Sequence, residues 1–80
     1  MKTYQPPRVR ILDVRAAIAA GDSPFETVMT SAAALGPQET LLLITPFMPA
    51  PLIEKLRSEG FEGRPERRRD GSWETQFKRI

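Results

Sequence analysis

The chain has 80 residues, with twelve basic and ten acidic side chains, a formal net charge of +2, and neither cysteine nor histidine. That length allows one domain with a modest core, and a composition 40% apolar and 28% charged is that of a globular chain. The missing residue types exclude disulfides, thiol catalysis and the usual zinc or haem ligands, and so small a charge surplus does not by itself select an anionic partner.

Met1 to Pro7 reads as a flexible N-terminal arm, because Pro6-Pro7 resists both helix and sheet interior. The domain is expected to run over residues 8–80. No apolar stretch of signal-peptide kind lies in Met1 to Arg10. The longest aliphatic run, Leu41 to Ile44, is far below the roughly 20 residues of a membrane-spanning helix. A cytoplasmic location is expected.

Arg8 to Val14 reads as a strand, with Val9 and Ile11 alternating against Arg8 and Arg10. Arg15 to Ala20 is alanine-rich and predicts a short helical turn ended by Gly21. Asp22-Ser23-Pro24-Phe25-Glu26 predicts a helix start. Ser23 fits the N-cap, Pro24 the first helical position, and Glu26, three residues after Ser23, completes a capping box. Phe25, Val28, Met29, Ala32 and Leu35 follow at helical spacing and predict one apolar face, which Gly36-Pro37 ends.

Glu39 to Thr45 reads as a second strand. The unbroken Leu41-Leu42-Leu43-Ile44 predicts a central strand covered on both faces. A stiff loop, Pro46 to Pro51, leads into a second helix with Leu52, Ile53 and Leu56 on its apolar face and Gly60 as its left-handed cap. Phe61 to Arg69 and Ser72 to Ile80 read as a hairpin joined by the two-residue link Asp70-Gly71. Trp73, Thr75 and Phe77 share a face, and Pro65 assigns its strand to an edge or a bulge. The expected fold is an α/β (α+β) two-layer sandwich of order βαβαββ, with two helices on one face of a mixed four-stranded sheet.

This order, with Leu12-Asp13-Val14-Arg15, Ser23-Pro24-Phe25-Glu26, Gly36-Pro37-Gln38-Glu39-Thr40-Leu41 and Pro46-Phe47-Met48-Pro49-Ala50-Pro51-Leu52, resembles the TusA/SirA-like group of small bacterial proteins and, more closely, its DUF2249 branch. The likeness spans about Val9 to Phe77. In TusA-like sulfur carriers a Cys-Pro-x-Pro motif opens the first helix, and its cysteine carries sulfur as a persulfide. The helix N-terminus favours a thiolate there. The matching residues here are Ser23, Pro24, Phe25 and Glu26. The carrier cysteine is replaced by an alcohol, which forms no persulfide, and the segment from Arg15 to Ser23 is longer than in typical carriers. The resemblance therefore implies the fold without the carrier chemistry. Members of the branch also occur joined to hemerythrin-like domains, which points to redox or nitrogen-oxide metabolism.

Each candidate residue has two readings. Ser23 lacks the base that a nucleophile needs, so capping is the expected role. Asp13 and Arg15, at the end of the first strand, either line a polar pocket with Ser23 and Pro24 that holds an anion, or pair with each other. Phe47 and Met48 either project from the stiff loop toward a protein partner or tuck under the second helix. Arg64, Arg67, Arg68 and Arg69, with Lys78 and Arg79 across the hairpin, form either a solvated face with Glu62, Glu66, Asp70 and Glu74, or a nucleic-acid surface. No EF-hand spacing and no Gly-rich phosphate loop is present, so no metal or cofactor is expected. The expectation is a non-enzymatic module that binds a protein partner or a small anion. RNA or DNA binding by the arginine hairpin is the alternative. The open sheet face is either solvated or an interface.

Overall fold

The computed structural model describes residues 8–80, so the expected arm at residues 1–7 lies outside the described residues. The elements in chain order are β1 (Arg8–Asp13), α1 (Arg15–Ala19), α2 (Phe25–Ala33), β2 (Glu39–Thr45), α3 (Ala50–Ser58), β3 (Phe61–Arg67) and β4 (Trp73–Arg79). The sheet order is β1-β2-β4-β3. β1 and β2 are parallel, with Ile11 beside Leu42, whereas β4 runs antiparallel to both β2 and β3. This is the expected mixed four-stranded α+β sandwich.

The helices cover one face. Val28 and Ala32 of α2 and Ile53 and Leu56 of α3 join Leu41, Leu43, Phe61 and Phe77 of the sheet in one buried cluster, with Ile18 of α1 packed against it. Phe77 is wholly buried, and Gly63 on β3 lies directly beside it. A Cβ on Gly63 would come within 2.7 Å of the Phe77 ring and 3.3 Å of the Ile53 side chain. The glycine is what lets β3, β4 and α3 close on one another.

Several local expectations are corrected. Val9 and Ile11 alternate as read, but toward the open face, where they are 59% and 67% exposed. Leu12 and Val14 carry β1 into the core instead. β2 is central, yet it is helix-covered on one face only. On the other face Leu42 stays half-exposed, whereas Ile44 is buried.

Ser23 does not cap α2. Pro24 takes that place (φ −83°, ψ 8°), and its carbonyl accepts from Val28 N–H at 2.9 Å. The helix therefore begins one residue later than read. Glu26 falls at the second helical position, out of capping-box spacing, and its remaining contribution is negative charge near the positive helix end. Phe25, now the first helical residue, is exposed rather than on the apolar face.

The hairpin loop is one residue longer than read. Arg68 N–H bonds the Ser72 carbonyl at 2.8 Å, which leaves Arg69, Asp70 and Gly71 as the loop. Gly71 N–H returns to the Arg68 carbonyl at 3.1 Å, and Gly71 has φ 87°. A turn closed by a left-handed glycine is the usual three-residue hairpin solution. Gly60, with φ 91° and its N–H on the Arg57 carbonyl, ends α3 as expected.

Arg79 is exposed, yet its guanidinium is engaged by the end of α2. Its Nε donates to the Leu35 carbonyl (2.9 Å) and its Nη2 to the Ala33 carbonyl (2.7 Å), and the guanidinium lies 5.0 Å from the centre of the Phe61 ring. It supplies partners and positive charge to the carbonyl end of α2.

Two stability measurements follow from this packing. Gly63→Ala should lose about 1–3 kcal/mol in urea denaturation, because its methyl group has no room beside Phe77. Thr75 is wholly buried and its hydroxyl has no hydrogen-bond partner, so Thr75→Val should gain about 1 kcal/mol in the same assay.

Candidate functional site

The C-terminal ends of β1 and β2 and the β3–β4 loop lie at the same end of the sheet, where Asp13 stands beside Ile44 and Ile44 beside Glu74. Asp13 is the last residue of β1, and Arg15 opens α1 two residues later. The Arg15 guanidinium grips Asp13 from two sides, Nη2 to Oδ2 at 2.7 Å and Nε to Oδ1 at 3.0 Å. Arg15 N–H also donates to Asp13 Oδ1 at 3.1 Å. The same guanidinium reaches across to the hairpin, with Nη1 on Asp70 Oδ2 at 3.2 Å. Asp70 is itself held by Ser72, whose N–H and hydroxyl donate to Oδ1 at 2.9 and 2.5 Å. One arginine thus joins the first strand to the last hairpin.

The charges respond accordingly. The hydrogen bond from the Arg15 side chain, then that from its backbone N–H, lowers the Asp13 carboxyl from 3.8 to about 2. Asp70 is lowered chiefly by Ser72, and Arg15 is raised chiefly by Asp13. All three groups remain substantially open to solvent. Nε, Nη1 and Nη2 of Arg15 are all directed at carboxylates, and the positive charge of Arg68 also favours the ionised forms of Asp13 and Asp70.

The pairing reading of Asp13 and Arg15 is therefore the one the structure shows. The Ser23 side chain makes no cap hydrogen bond at the start of α2, and the Asp13–Arg15 pair is formed without it. Asp70 was legible as a turn residue and as a carboxylate among the hairpin arginines, but no local signal points from it to an arginine fifty-five positions away. The Arg10–Glu39 pair (3.0 Å) was likewise invisible. Glu39 also accepts from Gly36 N–H at 2.7 Å, which ties the start of β2 to the α2–β2 connection.

The loop after β2 presents Phe47 and Met48 outward, 52% and 41% exposed, so neither tucks under α3. Its backbone is held. The Thr45 hydroxyl donates to the Phe47 carbonyl at 2.6 Å, Pro49 is buried as the cap of α3, and Pro46 and Pro51 flank the segment.

Three of the four hairpin arginines, Arg67, Arg68 and Arg69, border one depression near the turn, and Arg64 does not. Arg64 pairs with Gln76 on the open face, Arg67 points to the helix side beside Trp73, and Arg68 and Arg69 enter the turn. The open depression of about 480 Å³ near the turn is lined by Arg67, Arg68 and Arg69 together with Glu66, Asp70 and Glu74. Equal numbers of both signs leave no net positive field for a phosphate backbone. Among the described residues no group of three or more carboxylates is placed to hold a metal ion.

Over residues 11–79 the chain matches the family model described as "Uncharacterized conserved protein (DUF2249)". The chain belongs to the DUF2249 family. No curated protein and no solved structure gave a match. Both ends of the central ionic cluster, Asp13 and Asp70, lie within the DUF2249 match, as does the Phe47–Met48 loop. No helix among the described residues is long and apolar enough to cross a membrane.

The acid limb of stability should report this cluster. A depressed carboxyl contributes stability that is complete above its unfolded value near 3.8 and fades as the pH falls toward about 2. Thermal melting of the wild-type chain should therefore decline over that window, and Asp13→Asn should be less stable at neutral pH with a flatter acid limb. An unchanged limb would separate Asp13 from acid stability.

Proposed function

We propose that this DUF2249 chain is a non-enzymatic, TusA/SirA-like module that binds a protein partner in the bacterial cytoplasm and does not carry sulfur covalently. The observation that supports this reading is the Phe47–Met48 loop: two large apolar side chains exposed on a backbone already held by Thr45 and by buried Pro49. A pre-ordered loop loses little conformational entropy on binding, and phenylalanine and methionine are side chains suited to interface cores. The ionic cluster at the same end of the sheet supplies a polar border. Its Arg15 guanidinium, already engaged by two carboxylates, favours a protein partner over a small anion.

The position that matches the carrier cysteine is Ser23, which is exposed, and with no cysteine in the chain there is no thiol to accept sulfur. A place in redox, sulfur or nitrogen-oxide metabolism rests on family association.

Affinity capture from the native cell tests the loop. The double variant Phe47→Ala with Met48→Ala should lose the partner that the wild-type chain retains, while its melting temperature stays unchanged because both side chains are exposed. Capture unaffected by this variant and by Arg15→Ala would remove the proposed surface. Incubation with a persulfide donor should leave the mass of the chain unchanged; a stable added sulfur atom would overturn the binding-module reading.

A further inference from the structure

The two edges of the sheet are built differently. β3 carries Pro65 in its middle and Glu62, Arg64 and Glu66 on the open face, and a proline with charges of this kind discourages further pairing. β1, Arg-Val-Arg-Ile-Leu-Asp, has no proline. Its inward backbone groups are set by two bonds, Arg8 N–H to the Gln38 carbonyl (3.3 Å) and Val14 N–H to the Ile44 carbonyl (3.0 Å). Alternate residues of a parallel strand bond the same neighbour, so Arg8, Arg10, Leu12 and Val14 face β2. Val9, Ile11 and Asp13 therefore direct both N–H and C=O away from the sheet, and among the described residues no strand pairs with them.

The side chains along this edge have a matching pattern. Val9 and Ile11 stand exposed on the open face, continuous with half-exposed Leu42. Arg8 and Arg10 stand exposed on the other face. A strand laid antiparallel along β1 would meet apolar groups on one side and guanidinium groups on the other.

We propose that the outer edge of β1 is a docking strand for an extended peptide of alternating apolar and acidic residues, which joins the sheet beside β1. Main-chain bonds to Val9 and Ile11 supply the register, as in other strand-addition complexes, and the acidic residues answer Arg8 first, since Arg10 already pairs with Glu39 at 3.0 Å. A second copy of the chain fits less well. Two-fold pairing of β1 with itself brings Arg10 opposite or diagonal to its own symmetry mate, and like charges so placed repel. This edge is separate from the Phe47–Met48 loop and stands or falls independently of it.

The test is a fluorescence-anisotropy titration of the whole chain with a labelled octapeptide of alternating glutamate and valine, beside its lysine–valine counterpart. Saturable binding of the acidic peptide is expected, about tenfold or more tighter than that of the basic one. Ile11→Pro should abolish it without breaking the β1–β2 ladder, because the Ile11 N–H points outward. Arg8→Glu should weaken it about tenfold. Should Ile11→Pro fail to fold, as judged by circular dichroism, hydrogen exchange on the wild-type chain decides: the peptide should slow the amides of Val9 and Ile11. Absence of saturable binding, equal affinity for both peptides, binding indifferent to Ile11→Pro, or unslowed Val9 and Ile11 amides would overturn the proposal. So would sedimentation showing that the chain alone dimerises through this edge.

Discussion

Phe77 and Gly63 face each other across the β3–β4 ladder, and the missing side chain on one makes room for the ring of the other. β4 lies between β2 and β3, so this contact sits near the middle of the sheet. Ile53 closes over the same spot from α3, while Leu41 stands beside Phe77 on β2. In a domain of this size a few wholly buried side chains supply much of the apolar driving force. The helices can approach the sheet closely only because this point is not overfilled. The polar apparatus at the sheet end is then free to hold loops rather than layers: Arg15 secures the β3–β4 turn and Thr45 the loop before α3.

The architecture was legible because it is written in periodicity. The run Leu41 to Ile44 located the central strand, Pro65 located an edge, and Gly60 ended α3 with a left-handed residue. What escaped was written in single-residue offsets. Ser23-Pro24 allows a helix to begin at either of two positions, and only the Val28 hydrogen bond selects one. Asp70-Gly71 fits a two- or a three-residue loop, and the strand pairing beyond it decides. The apolar alternation of β1 gave a period but not a direction. Val9 and Ile11 lie outward because Leu12 and Val14, on the opposite parity, continue into the core.

The candidate site was legible in its residues and not in its connections. Asp13, Arg15, Phe47 and Met48 were identifiable from their positions at the ends of strands and on a proline-bounded loop. Their partners come from distant segments: Asp70 for Arg15, and the α2 carbonyls for Arg79. The arginine-rich hairpin shows the converse. Arg64 and Arg67 fall on opposite faces of β3 because strand neighbours alternate sides, while Arg67, Arg68 and Arg69 gather near the turn among three carboxylates. Membership of DUF2249 supports the reading of the chain as a conserved small fold, while its chemistry has to be argued from these side chains.

The strand order has a bearing on biosynthesis. The segment 73–79 is translated after all the other strands, yet β4 occupies an inner place between β2 and β3 and supplies the arginine that closes α2. Until it leaves the ribosome, β2 has only its parallel neighbour, β3 has no partner within the sheet, and the carbonyls of Ala33 and Leu35 lack the Arg79 guanidinium. Assembly must therefore await nearly the entire domain and then proceed through pairings between distant segments, which are slower to form than local ones. A nascent chain halted before Trp73 would expose Leu41 and Phe61 without the strand that shelters them, the condition in which a holding chaperone finds its substrate.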